Sequence, residues 1–194
     1  MGLFNNVQIP FYEKYVDICF LIISFVSTTG LIPKTLYEYG ALSNLILILS
    51  LLTLVGGAVT STTGGLKPTR IIYIYRCISM ELFRLANPRK IKAKEKINSI
   101  DETSQIFIFS ILYLSMIPIL ATIVTIFNID FEEAILIVIS SLSNTGIGLL
   151  EIANINYYPD TFIEIILLSI ILLFGRIEIF ITMILISSIF WKKI

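Results

Sequence analysis

From Ile106 to Phe127 the chain carries no charged side chain, and about twenty such residues are what a helix needs to cross the hydrocarbon core of a bilayer. That segment excludes most soluble folds, because a helix apolar on every side has no face to give to water. Pro118 lies inside it and predicts a kink rather than an interruption, since neighbouring groups in a membrane bundle satisfy the backbone that proline frees. Three more apolar stretches accompany it: Phe11 to Ser27, Leu42 to Val55 with a resumption at Ile71 to Ile78, and Phe162 to Trp191. A fifth, Phe131 to Leu142, is too short to span. With 56% hydrophobic residues, 14% charged residues and a mean hydropathy of +0.91, the composition lies far from that of a soluble domain. The expected fold class is all-α, a polytopic membrane protein.

The chain has no histidine, which removes the commonest general base, the commonest metal ligand and every Ser-His or Cys-His pair. No catalytic residue, enzyme activity or cofactor is expected. Cys19 and Cys77 lack the spacing of a metal or redox pair and read as small apolar residues. No basic segment followed by a small-residue cleavage site opens the sequence, so the membrane segments are expected to act as the targeting signal.

The 14 Lys and Arg balance the 14 Asp and Glu, but they are unevenly placed. Lys67, Arg70, Arg76, Arg84, Arg89, Lys90, Lys92, Lys94 and Lys96 form one group, and Lys192 and Lys193 form another. The bias of basic residues toward the cytoplasm puts both groups there, so it speaks for topology and not for nucleic acid. An even number of crossings then separates them. The connecting stretch Asn128 to Thr161 faces outward, and its Asp130, Glu132, Glu133, Glu151 and Asp160, with no basic residue among them, favour cations.

Between the two parts of the second apolar stretch runs Gly56-Gly57-Ala58-Val59-Thr60-Ser61-Thr62-Thr63-Gly64-Gly65. So many small and hydroxyl residues do not hold a regular helix. Non-helical backbone survives at membrane depth only when it is buried in protein or lines a wet cavity, which predicts a broken helix inside a bundle. The other reading, an interfacial helix followed by an aqueous glycine loop, stays open at this point.

Shifting the sequence by 116 residues aligns Ser24 with Ser140, Val26 with Leu142, Ser27 with Ser143, Thr29 with Thr145 and Gly30 with Gly146. Each copy reads as a short apolar helix, a turn ending in Thr-Gly, a polar stretch containing Pro33 or Pro159, and a longer apolar segment. Glycine lets successive carbonyl oxygens point one way, and a ring of carbonyls replaces the water around a monovalent cation. Thr28, Thr29 and Gly30 are therefore candidates for one wall of an ion filter, and Asn144, Thr145 and Gly146 for another.

These residues resemble the Trk/Ktr/HKT superfamily of potassium transporters, whose subunits are four fused helix, pore-loop, helix units around one pore. Phe25-Val26-Ser27-Thr28-Thr29-Gly30-Leu31 is similar to the third filter sequence of that family, and Ser141-Leu142-Ser143-Asn144-Thr145-Gly146-Ile147-Gly148 to the fourth. The run Gly56 to Lys67 resembles the intramembrane gating loop, with Gly56, Gly57, Ser61, Thr62, Gly64, Gly65 and Lys67 as its marks. Leu173-Phe174-Gly175-Arg176-Ile177-Glu178-Ile179-Phe180 looks like the signature of the last helix.

The resemblance implies that residues 11–97 are a third pore-loop unit lacking its first helix and 98–194 a fourth. Potassium at the filter is then the transported ion and the only metal. Arg176 is the electrostatic barrier below the filter, unless it pairs with Glu178 or Glu164 or snorkels to an interface. Lys67 either marks the inner end of the gating loop or anchors a helix at the cytoplasmic surface. Two units do not encircle an ion, so the resemblance implies a partial, truncated or split subunit in a bacterial inner membrane. It would be completed by a second copy as a homodimer or by a complementary amino-terminal half. The alternative is a non-conducting remnant or scaffold that assembles with other transporter subunits. A cytoplasmic nucleotide-binding regulatory subunit is the implied further partner; the basic stretch Arg84 to Lys96 faces the right side for it, and equally suits anionic lipid.

Overall fold

The computed structural model describes residues 11–33, 45–58, 61, 63–87 and 100–177. Among these residues seven α-helices follow one another: α1 (Phe11–Val26), α2 (Ile46–Val55), α3 (Pro68–Ala86), α4 (Ile100–Val124, extended by a 3-10 turn at Thr125–Phe127), α5 (Phe131–Leu142), α6 (Ile147–Ile152) and α7 (Phe162–Ile177). No strand occurs among the described residues.

The short helix α5 is the centre. It packs against α2, α4, α6 and α7, and Ala134 and every residue from Ile137 to Leu142 are buried. Its 12 residues rise about 18 Å, well short of a hydrocarbon core about 30 Å thick. A helix of that length whose second half is buried ends inside the protein. Lipid tails are as apolar as leucine, so burying Val138 and Leu142 in a bilayer gains close packing more than transfer from water. Leu21 and Phe25 of α1, Leu49 of α2, Tyr113, Leu120 and Val124 of α4 and Ile171 of α7 complete the same core.

The sequence repeat extends further in space than in residue identity. Helix α1 ends at Val26 and α5 at Leu142, and 142 − 26 = 116; α2 begins at Ile46 and α7 at Phe162, and 162 − 46 = 116. In each copy the short helix packs against the helix that follows: α1 on α2, and α5 on α7. The copies then diverge. Helix α2 stops at Val55 with Gly56 as its cap, whereas α7 continues to Ile177. The chain resumes as a helix only at Pro68, a residue suited to the first helical position because its missing N–H would have no partner there.

Among the described residues one helical stretch, Ser104–Phe127, is long and apolar enough to cross a membrane by itself. Ile108, Ile111, Leu114, Ile119 and Ile123 are exposed on it, a surface suited to lipid or to further protein and ill suited to water. The remainder of the Phe162 to Trp191 span, the basic residues from Arg89 to Lys96, and Lys192 and Lys193 lie outside the described residues. Helix α6 is not foreseen by the sequence, because Ile147–Ile152 is too short to show a helical period, yet it buries Gly148, Leu149, Leu150 and Ile152 against the core.

Candidate functional site

Each short helix ends in the same turn, bond for bond. Thr28 N–H donates to the Phe25 carbonyl at 3.2 Å and Thr29 N–H to the Ser24 carbonyl at 2.9 Å; Asn144 N–H donates to Ser141 at 3.1 Å and Thr145 N–H to Ser140 at 3.0 Å. This pair of bonds is the Schellman ending of a helix, which requires a left-handed residue just past the cap. Thr28 has φ 55° and Asn144 φ 57°. Gly30 N–H and Gly146 N–H reach the same Ser24 and Ser140 carbonyls at 3.4 and 3.3 Å. The hydroxyls repeat as well. Ser27 Oγ donates to the Ser24 carbonyl and Ser143 Oγ to that of Ser140, at 3.2 and 3.3 Å. With its one proton so used, each serine accepts from the threonine two residues on, Thr29 at 2.8 Å and Thr145 at 2.7 Å.

The electrostatic result is one-sided. The N–H groups of Thr28, Thr29, Gly30, Asn144, Thr145 and Gly146 all turn back onto their helices. Among the described residues no backbone N–H donates to the carbonyls of Thr28, Thr29, Gly30, Asn144 or Thr145, and of these the Thr145 carbonyl lies against Gly30 and the Gly30 carbonyl against Gly148. Two stretches of backbone thus offer acceptors and withhold donors, an arrangement that suits a cation and repels an anion.

The turns touch. A side chain on Gly30 would strike the Thr145 carbonyl, and one on Gly148 would strike the carbonyl of Gly30, so the two backbones lie directly against each other. Gly146, with φ 74° and ψ −149°, has a backbone conformation almost confined to glycine, but a side chain there would meet nothing within 4 Å. The contact runs head to tail, with the equivalent face of the second turn left open.

The described part of the loop 56–67 meets the second turn at Gly64. Its ends are pinned by Leu66 N–H to the Leu54 carbonyl at 2.8 Å and Lys67 N–H to that of Val55 at 2.9 Å, while Ser61 N–H bonds to Ala58 at 2.9 Å and Gly57 N–H to Thr63 Oγ1 at 3.1 Å. Gly56, Gly64 and Gly65 are buried, Gly57 and Lys67 are half-buried, and Ser61 is exposed; Thr62 lies outside the described residues. A side chain on Gly64 would come within 2.6 Å of the Ser143 carbonyl. From the other side α7 reaches the same turn. Asn144 Nδ2 donates to the Leu172 carbonyl at 3.5 Å, and Gly175 lies against the Leu142 carbonyl and that same amide.

Arg176 follows in the last turn of α7, its side chain exposed. Glu164 is not its partner. The two residues stand twelve positions apart on one helix, about 18 Å along its axis. The Glu164 carboxylate instead accepts from Asp160 N–H at 2.9 Å and Thr161 N–H at 3.1 Å, and Thr161 Oγ1 accepts from Glu164 N–H at 3.3 Å, a reciprocal cap on α7. Glu178 lies outside the described residues.

On the outer stretch Asp130, Glu132, Glu133, Glu151 and Asp160 are exposed. Burial, and behind it the charges of Glu164 and Asp160, raise the pKa of the neighbouring Tyr157 phenol above its ordinary value. No cluster of His, Cys, Asp and Glu suited to holding a metal ion occurs among the described residues.

The contacts of three residues carry no mark in the sequence, although the resemblance includes Gly148 and Gly175 in its fourth filter and last-helix segments. Gly148 and Gly175 matter because another segment's backbone comes close, and a glycine on an apolar helix gives no sign of what lies opposite. Arg70 reads in the sequence as a topology charge, whereas its guanidinium carbon lies 3.8 Å from the centre of the Phe109 ring.

No protein-family model matches the chain. It is 27% identical over 195 residues to the Trk system potassium uptake protein TrkH of Escherichia coli K12, a match covering 98% of this chain and 39% of that protein. It is 26% identical to the potassium uptake protein TrkI of Halomonas elongata, covering 95% of this chain and 38% of the relative. Among solved structures, the potassium transporter TrkH from Vibrio parahaemolyticus matches with a TM-score of 0.74 and 26% identity, over 93% of this chain and 38% of the other. The chain therefore spans about 39% of the length of the curated relatives it matches.

Proposed function

We propose that this chain, a membrane protein homologous to the Trk potassium uptake proteins, forms part of a pore that passes potassium ions. Its relatives are transporters and not enzymes. The observation that carries the reading is the pair of touching turns whose N–H groups are spent and whose Thr28, Thr29 and Asn144 carbonyls take no backbone donor. Backbone carbonyls of Thr28, Thr29, Gly30, Asn144, Thr145 and Gly146 would replace the hydration shell of the ion, with no other metal and no cofactor needed. The exposed acids of the outer stretch would raise the local cation concentration. Below the second turn, the loop from Gly56 to Lys67 would gate the exit and Arg176 would oppose cations electrostatically.

On this reading residues 11–97 and 98–194 act as successive pore-loop units in a bacterial inner membrane. The open face at Gly146 supports completion by further units, from a second copy or from a complementary amino-terminal half. A nucleotide-binding regulatory subunit would meet the cytoplasmic side. The same open face favours one second reading, a non-conducting scaffold that binds other transporter subunits.

Rubidium uptake in bacteria lacking potassium-uptake systems tests the proposal, with the chain expressed alone and together with a fragment carrying the missing units. Uptake in either setting, with ion preference altered by Gly146→Ser and rate altered by Arg176→Ala, is expected. Uptake in neither setting despite membrane insertion, or uptake indifferent to both substitutions, would overturn it.

A further inference from the structure

The loop 56–67 needs a fixed frame, and its own backbone supplies only half of one. The bonds from Leu66 and Lys67 to the carbonyls of Leu54 and Val55 close its neck, but they tie one end of the loop to the other and not to the bundle. On the entry side α2 is held by α1 and α5. On the exit side helix α3 begins at Pro68, is largely exposed, and leans on α4. Cys77 is buried about two turns further along α3, but next to the loop Ile71 and Ile72 are exposed, so the apolar residues there do not fasten α3 to the core.

Arg70 does. It sits in the first turn of α3, three residues past the loop, and its guanidinium lies 3.8 Å from the centre of the Phe109 ring. Phe109 is buried and stacks at 6.2 Å and 20° on Tyr113, itself 2% exposed and part of the core. A guanidinium over an aromatic face is attracted by the ring quadrupole, and more strongly where water is scarce. The stack Arg70–Phe109–Tyr113 therefore runs from the exit of the loop into the middle of α4.

We propose that Arg70, held over Phe109, is the positioning residue that sets the resting place of the loop 56–67. The inference deepens the gating role proposed for that loop, and it rests on that reading only for its consequence in transport. Releasing the stack lets α3 swing from α4 and carries the loop away from the Ser143 carbonyl.

The position of the loop is measurable without ion flow. Ser61 is exposed in the loop, so Ser61→Cys, in a full chain with Cys19 and Cys77 replaced by serine, reports loop exposure through its rate of reaction with a thiol reagent in membranes. Arg70→Gln and Phe109→Leu are each expected to change that rate about five-fold, the size of a partly buried cation–π contact, with the double variant no further changed. Arg70→Lys and Phe109→Tyr keep a cation over a ring and should stay near the parent. Asn156→Cys, at an exposed position on the outer stretch, reports the fold in a parallel series and should react alike in all backgrounds. Equal rates for the loop thiol across the set, or effects of Arg70→Gln and Phe109→Leu that simply add, would overturn the proposal even where transport is intact. If rubidium uptake is absent but the loop-thiol pattern holds, the transport reading fails and the positioning role stands.

Discussion

The first turn, Ser27 to Gly30, and the second, Ser143 to Gly146, make the same hydrogen bonds within a few tenths of an ångström, yet they have different neighbours. Gly30 is covered by Thr145, whereas Gly146 faces open space. Thr28, a β-branched residue, holds a left-handed conformation that Asn144 adopts at lower cost. Past the first turn the following helix breaks at Gly56; past the second it runs on, bringing Gly175 against the turn and Arg176 one residue beyond. Local sequence specifies the turn, and the rest of the bundle decides what each copy is used for.

The largest expected effect separates the two glycines. Gly30→Ala combines a backbone conformation unfavourable to alanine with a collision against Thr145 and is expected to destabilise by about 4 kcal/mol. Gly146→Ala meets only the backbone strain, about 2 kcal/mol. Thermal unfolding in detergent compares them, and equal losses would mean that the turns do not touch.

Gly175→Ala comes next. Its new methyl group would press on the Leu142 carbonyl and the Asn144 amide, at about 2 kcal/mol, and should loosen the second turn while leaving the first intact. Amide hydrogen exchange at Thr145 and Thr29 reads the two turns separately, with faster exchange expected at Thr145 alone.

Part of this is legible in the sequence. The ends of α1 and α5 and the paired Thr-Gly turns can be found because Ser24, Ser27, Thr29 and Gly30 recur at one spacing, and the bonds they make are local. The close approaches at Gly148 and Gly175 and the Arg70–Phe109 contact are not legible, because each depends on which distant segment lies opposite. A pairing of Arg176 with Glu164 is plausible from sequence alone, and it fails because one helix holds the two residues near its opposite ends.

Smaller effects sharpen the comparison. Asn144→Thr puts a β-branched residue at a left-handed position and gives up the amide contact with α7; about 1 kcal/mol is expected. Thr28→Asn, relieving the same strain, should move the other way, and the difference in unfolding midpoint between the two variants checks the pair.

The smallest contrast lies in the helices before the turns. Ser140 Oγ donates to the Ile137 carbonyl at 2.9 Å, whereas the buried Ser24 Oγ has no hydrogen-bond partner among the described residues. Ser140→Ala should cost about 1 kcal/mol, and Ser24→Ala should be neutral or slightly stabilising. Equal effects in denaturant titrations would show that the two hydroxyls have the same surroundings.

The central claim is that the carbonyls of both turns together face one cation. Crystals of the chain in its assembled, conducting form, grown with rubidium in place of potassium, test it through anomalous scattering. The account predicts a rubidium peak coordinated by carbonyls of both Thr28 to Gly30 and Asn144 to Gly146. A peak confined to the outer acids, or none at the turns in an assembly that still takes up rubidium, would contradict it.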